Sequence, residues 1–397
     1  MPQPSDQCRY PEPMSTSRFK PVRLSSLIRS LSSSANSSSS KRADTASKMH
    51  ELALYGVPKF TGIRRQVEIP KPGPGEVLIK VVAVGLNPKD WKITKSRGED
   101  RAINAGDDVT GIIESVGDGV YEYKPGDRVA AFHRMFDPSG AYAEYSIAPA
   151  STTFPLPPNI SFEAGAGLPL SSMTAAIALY QALALPLPTA TGKKGIPLLI
   201  YGGATAVGAF ALQFAKLSNI HPVITVAGAG IDFVKSLDAA DHIIDYRKGD
   251  VAKNILSALG GTPLHHALDT ISGKGSYEII SDVLTASGGG EINMLDPPED
   301  ESWKWPEGVK FTRTFVSSAY HRKHNYISQE RANADGDFAF FFYRYMSLLL
   351  ARGTFKPHPH EVLAGGLDGI VGGIQALHDN KVSAKKLVVR IADTPGL

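Results

Sequence analysis

The spacing of hydrophobic positions changes character near residue 190. Before it, the apolar stretch VLIKVVAV and three shorter ones are separated by turn sequences such as GDG, KPGD and PSG. Short strands with this punctuation predict a barrel-like β unit, with strands at 77–84, 111–116, 127–131 and 143–148. Helical spacing follows at 161–167 and at 171–185.

After residue 190, apolar strands alternate with helical patterns. The predicted strands lie at 197–201, 223–227, 242–246, 266–271 and 291–295, and the helices between them at 207–217, 231–237, 251–259 and 277–286. Such repeats predict an α/β fold with a parallel, doubly wound sheet. We then expect a surface loop at 296–310, helices at 338–351 and 367–379, and a closing strand at 385–391. The aromatic residues within 338–345 are expected in the core and the wall of the substrate pocket.

The first 48 residues differ in composition from the rest. They contain fourteen serines and eight basic residues against three acidic ones. Their apolar surface is too small to offset the entropy of ordering, so we expect a disordered tail. Within it, 14–43 is Arg- and Ser-rich, acid-free and amphipathic, as organellar transit peptides are. A mitochondrial location is expected if 14–43 is such a peptide and a cytoplasmic one otherwise; translation from Met1, Met14 or Met49 stays open.

Composition excludes several classes of protein. The 397 residues include one cysteine, Cys8, which excludes a disulfide framework and a cysteine-rich zinc lobe. The net charge of +3 is too small to indicate a nucleic-acid-binding protein. The sequence has no run of about 18 apolar residues, so no transmembrane helix is expected.

The most specific motif is the strand–turn–helix sequence PLLIYGGATAVGAFALQFAK at 197–216. Against the pattern G-x-G-x-x-G it presents Gly203, Thr205 and Gly208, so threonine replaces the middle glycine. A glycine-rich turn lets a pyrophosphate approach the amides at a helix N-terminus, where the helix dipole favours anions. We therefore expect dinucleotide binding, with a tight structural turn as the alternative.

The end of the second strand in this unit bears on the choice of cofactor. NAD-specific folds place Asp or Glu there to bind the ribose hydroxyls. Here the stretch 225–230 reads TVAGAG and contains no acid. The missing carboxylate favours NADP(H), although no basic residue stands there either.

Several motifs together resemble the medium-chain dehydrogenase/reductase superfamily. They are the glycine loop and GLNPKDWK (85–92), AGDDVTGIIESVGDGV (105–120), KPGDRV (124–129), LPLSSMTAA (168–176), DHIIDYR (241–247) and KKLVVRI (385–391). Over 49–397 the chain resembles the zinc-free quinone oxidoreductase branch, and within it fungal trans-acting enoyl reductases and secondary-metabolite-cluster dehydrogenases. The resemblance implies a GroES-like catalytic domain at 49–175, completed by 340–397, and a Rossmann domain at 176–339.

Zinc-using relatives differ from this chain at their ligand positions. They have a cysteine at the position of Asn87, a His-Glu pair at Asp107-Asp108, and a further ligand near Leu170. Two carboxylates and an amide make a poor zinc site. No metal is expected here.

Without a Lewis acid, the charge that develops on a substrate carbonyl oxygen needs a cation or hydrogen-bond donor. The resemblance places Lys92 in the active site and Thr174 near the substrate carbonyl, as the expected catalytic residues. A solvated lysine and a helix-capping threonine are the alternatives. The catalytic tyrosine of mitochondrial enoyl-thioester reductases has no counterpart in 93–104, which argues against that function.

The resemblance also implies cofactor contacts. Tyr246 is expected near the adenosine phosphate, and the strand 268–271 under the nicotinamide ribose. The complete expected set is Gly202, Gly203, Ala204, Thr205, Ala206, Val207, Gly208, Ala227, Tyr246, Asp269 and Leu295.

These observations predict an NADP(H)-dependent, zinc-free reductase of an activated C=C bond. Its substrate is expected to be a free enone or an enoyl thioester on a polyketide synthase carrier domain. A quinone or general enone oxidoreductase is the enzymatic alternative, and a non-catalytic dinucleotide-binding protein is the other. Nucleic acid and membrane are not expected partners, and the chain is expected to be a monomer or a homodimer.

Overall fold

The computed structural model describes residues 47–98, 101–190, 195–273, 275–298, 300 and 302–397. The tail and its predicted transit segment lie outside this part of the chain. The strands are β1 Lys48–Tyr55, β2 Thr61–Glu68, β3 Glu76–Gly85, β4 Asp108–Val116, β5 Arg128–Phe132, β6 Tyr145–Pro149, β7 Thr153–Pro155, β8 Leu198–Tyr201, β9 Val223–Ala227, β10 His242–Asp245, β11 His266–Asp269, β12 Gly290–Met294, β13 Val309–Arg313, β14 His360–Leu363 and β15 Lys386–Arg390. The helices are α1 Pro88–Ser96, α2 Phe162–Gly165, α3 Pro169–Ala176, α4 Ala206–Leu217, α5 Ile231–Leu237, α6 Val251–Leu259, α7 Ser276–Ala286, α8 Gln329–Ala351 and α9 Ile370–His378.

The first half of the described chain is built around a seven-stranded sheet. Its strands follow the order β14-β15-β3-β4-β5-β7, and β6 also pairs with β3. The four strands predicted in this half are confirmed as β3 to β6. The last strand of the chain, β15, lies antiparallel to β3, with Val388 opposite Gly85. The C-terminus therefore completes the sheet that the first half begins.

The hairpin of β1 and β2 was not expected. Its second strand, TGIRRQVE, is exposed along almost its whole length. A strand with polar side chains on both faces lacks the alternation that identifies a half-buried strand. The short strands β7 and β14 and the helix α1 were missed as well.

The second half contains a six-stranded parallel sheet in the order β10-β9-β8-β11-β12-β13. The predicted strands and helices of this unit are confirmed, with bounds within about two residues. The strand order reverses between β8 and β11, where Leu198 pairs with both Val223 and His266. Ligands of doubly wound sheets bind outside the carboxyl ends of the strands at this reversal.

The expectation of a surface loop at 296–310 is wrong in part. Trp303 packs edge-on against Tyr277 at 5.2 Å between ring centroids, and Trp305 stacks on Phe311 at 5.0 Å. The loop leads directly into β13, which begins at Val309. The two tryptophans thus hold this segment against α7 and the edge of the sheet.

Helix α8 begins nine residues before its predicted start, because the hydroxyl of Ser328 caps it by accepting the amide of Arg331 at 3.1 Å. Its aromatic residues are not all in the core: Phe342 is buried, whereas Phe340 and Phe341 are 45% and 56% exposed. The expectation for this run is therefore wrong for those two rings. The predicted domain boundaries after residues 175 and 339 fall inside α3 and α8, and the division remains a prediction. No described helix is long and apolar enough to cross a membrane.

Candidate active site

The glycine-rich turn between β8 and α4 folds tightly onto its neighbours. The amides of Gly202 and Gly203 both donate to the carbonyl of Val226 at 3.0 Å. Gly202 has φ of +93°, a conformation that favours glycine. A Cβ on Gly208 would collide with the carbonyl oxygen of Gly202. The glycines are thus required for the turn itself, which places the N-terminus of α4 at the carboxyl edge of the sheet.

Thr205 takes the middle position of the motif without strain. It is the N-cap of α4, with φ of −71° and ψ of 158°, which any residue adopts. Its hydroxyl oxygen accepts the amide of Gly208 at 3.0 Å and lies 2.9 Å from the hydroxyl of Thr270. The departure from glycine is therefore explained by capping.

This edge of the sheet fits a dinucleotide. The first turn of an α-helix leaves amides without intrahelical acceptors, and the helix dipole makes that end positive. At α4 the exposed surface consists of the small side chains Ala204, Ala206 and Val207, which are only partly buried. The turn 202–208 contains no carboxylate that would repel a pyrophosphate.

The ends of β9 and β10 meet beside this turn. Ala227 ends β9, and its carbonyl accepts the amide of Tyr246 at 3.2 Å. The Tyr246 ring is half exposed and covers Gly228 so closely that a Cβ there would collide with it. After Tyr246, the guanidinium of Arg247 is held by both oxygens of Asp245 at 2.8 Å.

Asp269 lies at the end of β11, but its side chain serves the turn that follows. Its Oδ1 accepts the amides of Ile271 and Ser272 at 2.9 and 3.0 Å, and its Oδ2 accepts the hydroxyl of Ser276 at 2.6 Å. Burial raises the pKa of Asp269, and these hydrogen bonds oppose the rise. The Ser272 hydroxyl oxygen in turn accepts the amide of Leu295 at 3.1 Å. Leu295 therefore lies beside the turn after β11.

Lys92 lies on α1, which follows β3 of the seven-stranded sheet, and its side chain reaches the carboxyl edge of the parallel sheet. Its ammonium lies 2.5 Å from Oδ2 of Asp296, which follows β12 by two residues, and both side chains are about two-fifths exposed. Asp296 also lies 3.4 Å from the guanidinium of Arg313. A cation on α1 thus stands at the carboxyl end of the parallel sheet.

Thr174 is buried on α3, and its hydroxyl donates to the carbonyl of Leu170 at 2.8 Å. The bond to a carbonyl four residues earlier is the usual local pairing of a threonine inside a helix. The hydroxyl oxygen retains lone pairs, and the proton is available to another acceptor only if this bond opens.

A buried charged cluster surrounds the start of α1. The ammonium of Lys89 contacts Asp107 and lies 2.8 Å from Asp90, whose other oxygen accepts the Tyr142 hydroxyl at 2.6 Å. His133 Nδ1 lies 2.8 Å from Asp107. Burial disfavours the charged form of Lys89, but the two carboxylates outweigh it and raise its pKa. Burial also raises the pKa of Asp90, against the effect of Lys89.

Asp108 points to a different set of partners from its neighbour Asp107. It accepts the Asn87 amide at 2.9 Å, the Leu170 backbone amide at 2.6 Å and the Lys386 ammonium at 3.2 Å. Each carboxylate is therefore paired with its own lysine, and the two do not converge as metal ligands do. Within the described part of the chain, no three His, Cys, Asp or Glu residues could hold a metal ion.

Known proteins share this architecture. Residues 73–158 match the alcohol dehydrogenase GroES-like domain. The trans-enoyl reductase fsr4 of Gibberella fujikuroi is 39% identical over 337 residues, which cover 83% of this chain and 95% of the relative. The chain belongs to the trans-enoyl reductase family. It is a zinc-free oxidoreductase of the medium-chain superfamily that acts on C=C bonds.

Solved structures agree with the trans-enoyl reductase fold. A quinone oxidoreductase of Pseudomonas syringae has a TM-score of 0.66 at 23% identity, covering 86% of this chain and 99% of that one. Crotonyl-CoA carboxylase/reductase AntE, solved in complex with NADP, has a TM-score of 0.64 at 19% identity, covering 87% and 96%. The expected α/β fold with a GroES-like domain is confirmed. This family of oxidoreductases uses a nicotinamide dinucleotide.

Four residues of this trans-enoyl reductase site have no recognisable signal in the sequence. Ser272 joins the turns after β11 and β12, and Asp296 and Arg313 place a carboxylate and a guanidinium beside Lys92. Lys386 joins Asp108 from the last strand. The motif KKLVVRI contains Lys386 but does not reveal its partner, because each of these contacts joins segments that are separated in sequence.

Proposed function

We propose that this enzyme uses NADPH to reduce the C=C bond of an enoyl thioester held on a polyketide synthase carrier domain. The observation that supports it most is the contact of Lys92 with Asp296. Through it, a helix of the GroES-like half presents an ammonium to the edge of the parallel sheet where the cofactor is expected. The family membership supports the reaction class.

The cofactor would lie along the carboxyl edge of the parallel sheet. Its pyrophosphate would lie at the amides of Ala204, Ala206 and Val207, and its nicotinamide end near Leu295. When bound, the reduced nicotinamide supplies a hydride to the β-carbon of the substrate. The small, partly buried side chains at the start of α4 leave its first amides uncovered by bulky groups.

Lys92 would stabilise the negative charge that arises on the substrate carbonyl oxygen. Before reaction its ammonium is neutralised by Asp296, and the substrate oxygen competes with that carboxylate for it. Both groups are partly exposed, so the exchange needs no burial of an unpaired charge. Arg313 remains near Asp296 and keeps that carboxylate paired.

Thr174 would serve as a second donor to the same oxygen. Its hydroxyl would turn away from the carbonyl of Leu170 and donate its hydrogen bond to the developing oxyanion, which is the stronger acceptor. Water would then protonate the α-carbon, since no tyrosine follows Lys92 in 93–104.

The preference for NADPH rests on the end of β9. Gly228 stands where NAD-specific folds place an acid, and Tyr246 covers it. The basic side chains of Arg247 and Lys248 follow immediately, and the Lys248 side chain is 82% exposed. The end of β9 therefore lacks the carboxylate that excludes a 2′-phosphate, and the neighbouring Asp245 carboxylate is paired with Arg247.

Titration of the full-length enzyme with NADPH and NADH, read by nicotinamide fluorescence, tests the cofactor. Loss of nicotinamide absorbance is then measured with crotonyl-N-acetylcysteamine, with a crotonyl-loaded carrier domain, and with a free enone and a quinone. Tighter binding of NADPH and fastest turnover of the carrier-bound thioester are expected. Turnover of the quinone or free enone alone would contradict the proposed substrate, and binding without turnover of any of them would contradict catalysis.

A further inference from the structure

Lys386 makes an unusual pair of contacts for a lysine. Its side chain is 6% exposed, and its ammonium donates to Oδ1 of Asn87 at 2.5 Å and to Oδ2 of Asp108 at 3.2 Å. The amide of Asn87 donates to the same Asp108 oxygen at 2.9 Å, which closes the group. We call Asn87, Asp108 and Lys386 the buried triad.

The buried triad is connected to the helix that carries Lys92. Asn87 is the N-cap of α1, and its backbone amide donates to Asp90 at 2.7 Å in the first turn. Lys92 follows Asn87 by five residues on this nine-residue helix. A shift of Asn87 therefore moves the helix start that orients Lys92.

The triad is connected equally to the helix that carries Thr174. The other oxygen of Asp108 accepts the backbone amide of Leu170 at 2.6 Å, at the start of α3. The carbonyl of the same Leu170 accepts the hydroxyl of Thr174 one turn later. One carboxylate thus bonds the start of both helices, to α3 directly and to α1 through Asn87.

The surroundings leave these groups little freedom to move. Asp108 and Asn87 are 0% and 1% exposed. A Cβ on Gly167 would lie 3.3 Å from Cγ of Lys386, and a Cβ on Gly85 would collide with the carbonyl oxygen of Ala166. A buried carboxylate requires a charged or hydrogen-bonded partner, and Lys386 supplies the only cation within bonding distance of Asp108 among the described residues.

We propose that Lys386 is a positioning residue: its ammonium holds Asn87 and Asp108 so that Lys92 and Thr174 face the same substrate oxygen. This rests on the proposed function, in which those two residues stabilise the oxyanion. Lys386 is assigned no contact with substrate. A displacement of a catalytic group by about one ångström is enough to lower turnover strongly.

The test compares Lys386→Met with Lys385→Met in the full-length enzyme. Lys385 is the neighbouring residue, is partly exposed and pairs with Glu361 at the surface, so it is a matched control. We expect Lys386→Met to lower kcat about 10- to 100-fold. The Kd for NADPH should stay within about threefold, because the side-chain hydrogen bonds of the triad do not reach the turn 202–208. Lys386→Arg should recover part of kcat, and Lys385→Met should behave as the parent enzyme.

Because Lys386→Met leaves the Asp108 carboxylate unpaired, the double variant Asp108→Asn with Lys386→Met is included. In this double variant the side-chain amide oxygen at position 108 can still accept the Leu170 backbone amide, so the protein should fold. The hydrogen bond from Lys386 to Asn87 is absent from this variant. Its kcat should stay low at a parent-like Tm. Parent-like kcat in this folded variant would overturn the proposal.

A double-mutant cycle separates positioning from general damage. If Lys386 acts through Lys92, then Lys386→Met lowers kcat clearly less in a Lys92→Ala background than in the parent. If Lys386→Met lowers kcat by the same factor in both backgrounds, the proposal is overturned. It is also overturned if Lys386→Met has the kcat of the parent enzyme while Lys92→Ala is impaired. An unimpaired Lys92→Ala would instead refute the proposed function.

Amide hydrogen exchange, which needs no substrate, tests whether Lys386 holds the starts of α1 and α3 in place. Lys386→Met should speed exchange at the starts of α1 and α3 and leave α4 unchanged. Unchanged exchange at both helix starts would overturn the proposal even if no substrate turned over.

Discussion

The two sides of the candidate site are held in different ways. On the cofactor side, the turn 202–208 is fixed by glycine backbone packed against β9 and β11, with bonds from Gly202 and Gly203 to Val226. On the substrate side, the helices that carry Lys92 and Thr174 are fixed by buried charges, such as Lys386 with Asp108. The first arrangement depends on one short stretch of sequence, whereas the second joins β4 to β15, the last strand of the chain.

This difference predicts which substitutions each side of the site tolerates. A backbone turn is disturbed by added volume, because a Cβ has nowhere to go, whereas a charged cluster is disturbed by the loss of one partner, which leaves a buried charge. Volume changes should therefore affect the cofactor side first, and charge changes the substrate side. The following variants test that contrast, and one of them asks whether an added charge acts on the cofactor side as well.

The largest effect is expected from removing the ammonium of Lys92. Lys92→Ala should lower turnover between about tenfold and a thousandfold, because the substrate oxyanion loses its cation. The Kd for NADPH should change little. The control is Lys95→Ala, an exposed lysine at the end of the same helix. Steady-state kinetics with the carrier-bound thioester measure both, and equal turnover of the two variants would refute the role of Lys92.

On the cofactor side, Gly208→Ala should raise the Kd for NADPH about a hundredfold, because its Cβ collides with the carbonyl of Gly202 and displaces the turn. Gly372→Ala on α9 is the matched control, since a Cβ there meets nothing within 4 Å. Fluorescence titration gives both values. Parent-like NADPH binding by Gly208→Ala would show that the turn does not depend on this glycine.

Much of the fold could be predicted from the sequence because its signals are local. Buried parallel strands are continuous apolar runs, and this signal identifies β8 and β9. The alternation of strand and helix patterns identifies the partly exposed β10 and the strands β11 and β12. The exposed strand β2 and the strand β13 gave no such signal. Trp303 and Trp305 stand in a polar stretch, and only the fold brings them against Tyr277 and Phe311.

The site was predictable to the same extent. The glycine turn could be identified because its geometry depends on consecutive residues. The partners of Lys92 and Asp108 could not, because Asp296 follows β12, Lys386 lies in β15, and only the folded sheets bring these segments near. The cofactor contact expected of Asp269 stays a prediction: its carboxylate bonds the turn that follows, and a motif cannot show where a side chain points.

The proposed preference for NADPH predicts a smaller and selective effect on cofactor affinity. Gly228→Asp places a carboxylate at the end of β9 and displaces Tyr246. It should lower the NADPH-to-NADH affinity ratio about tenfold, since the acid repels a 2′-phosphate and binds ribose hydroxyls. Gly228→Asn adds the same volume without charge and is the control. If both variants change the ratio equally, volume rather than charge sets the preference.

The smallest effect is expected from the buried hydroxyl beside α1. Burial, together with the Asp90 carboxylate, raises the pKa of Tyr142 well above its usual value. Above about pH 10 the unfolded chain therefore loses this proton before the folded one does, so the free energy of unfolding falls as pH rises. Lys89 acts in the same direction, because its raised pKa gives stability that is lost as pH rises through it.

Urea unfolding between about pH 9 and pH 11 measures this slope, to which each such group contributes up to about 1.4 kcal/mol per pH unit. Tyr142→Phe should be less stable at neutral pH, because Asp90 loses a hydrogen bond, but its stability should fall less steeply with pH. Tyr121→Phe is the control, since that side chain is 94% exposed and its phenol meets water in both states. A parent-like slope in Tyr142→Phe would mean that this side of the site owes its rigidity to packing, as the cofactor side does, and the contrast between the two would fail here.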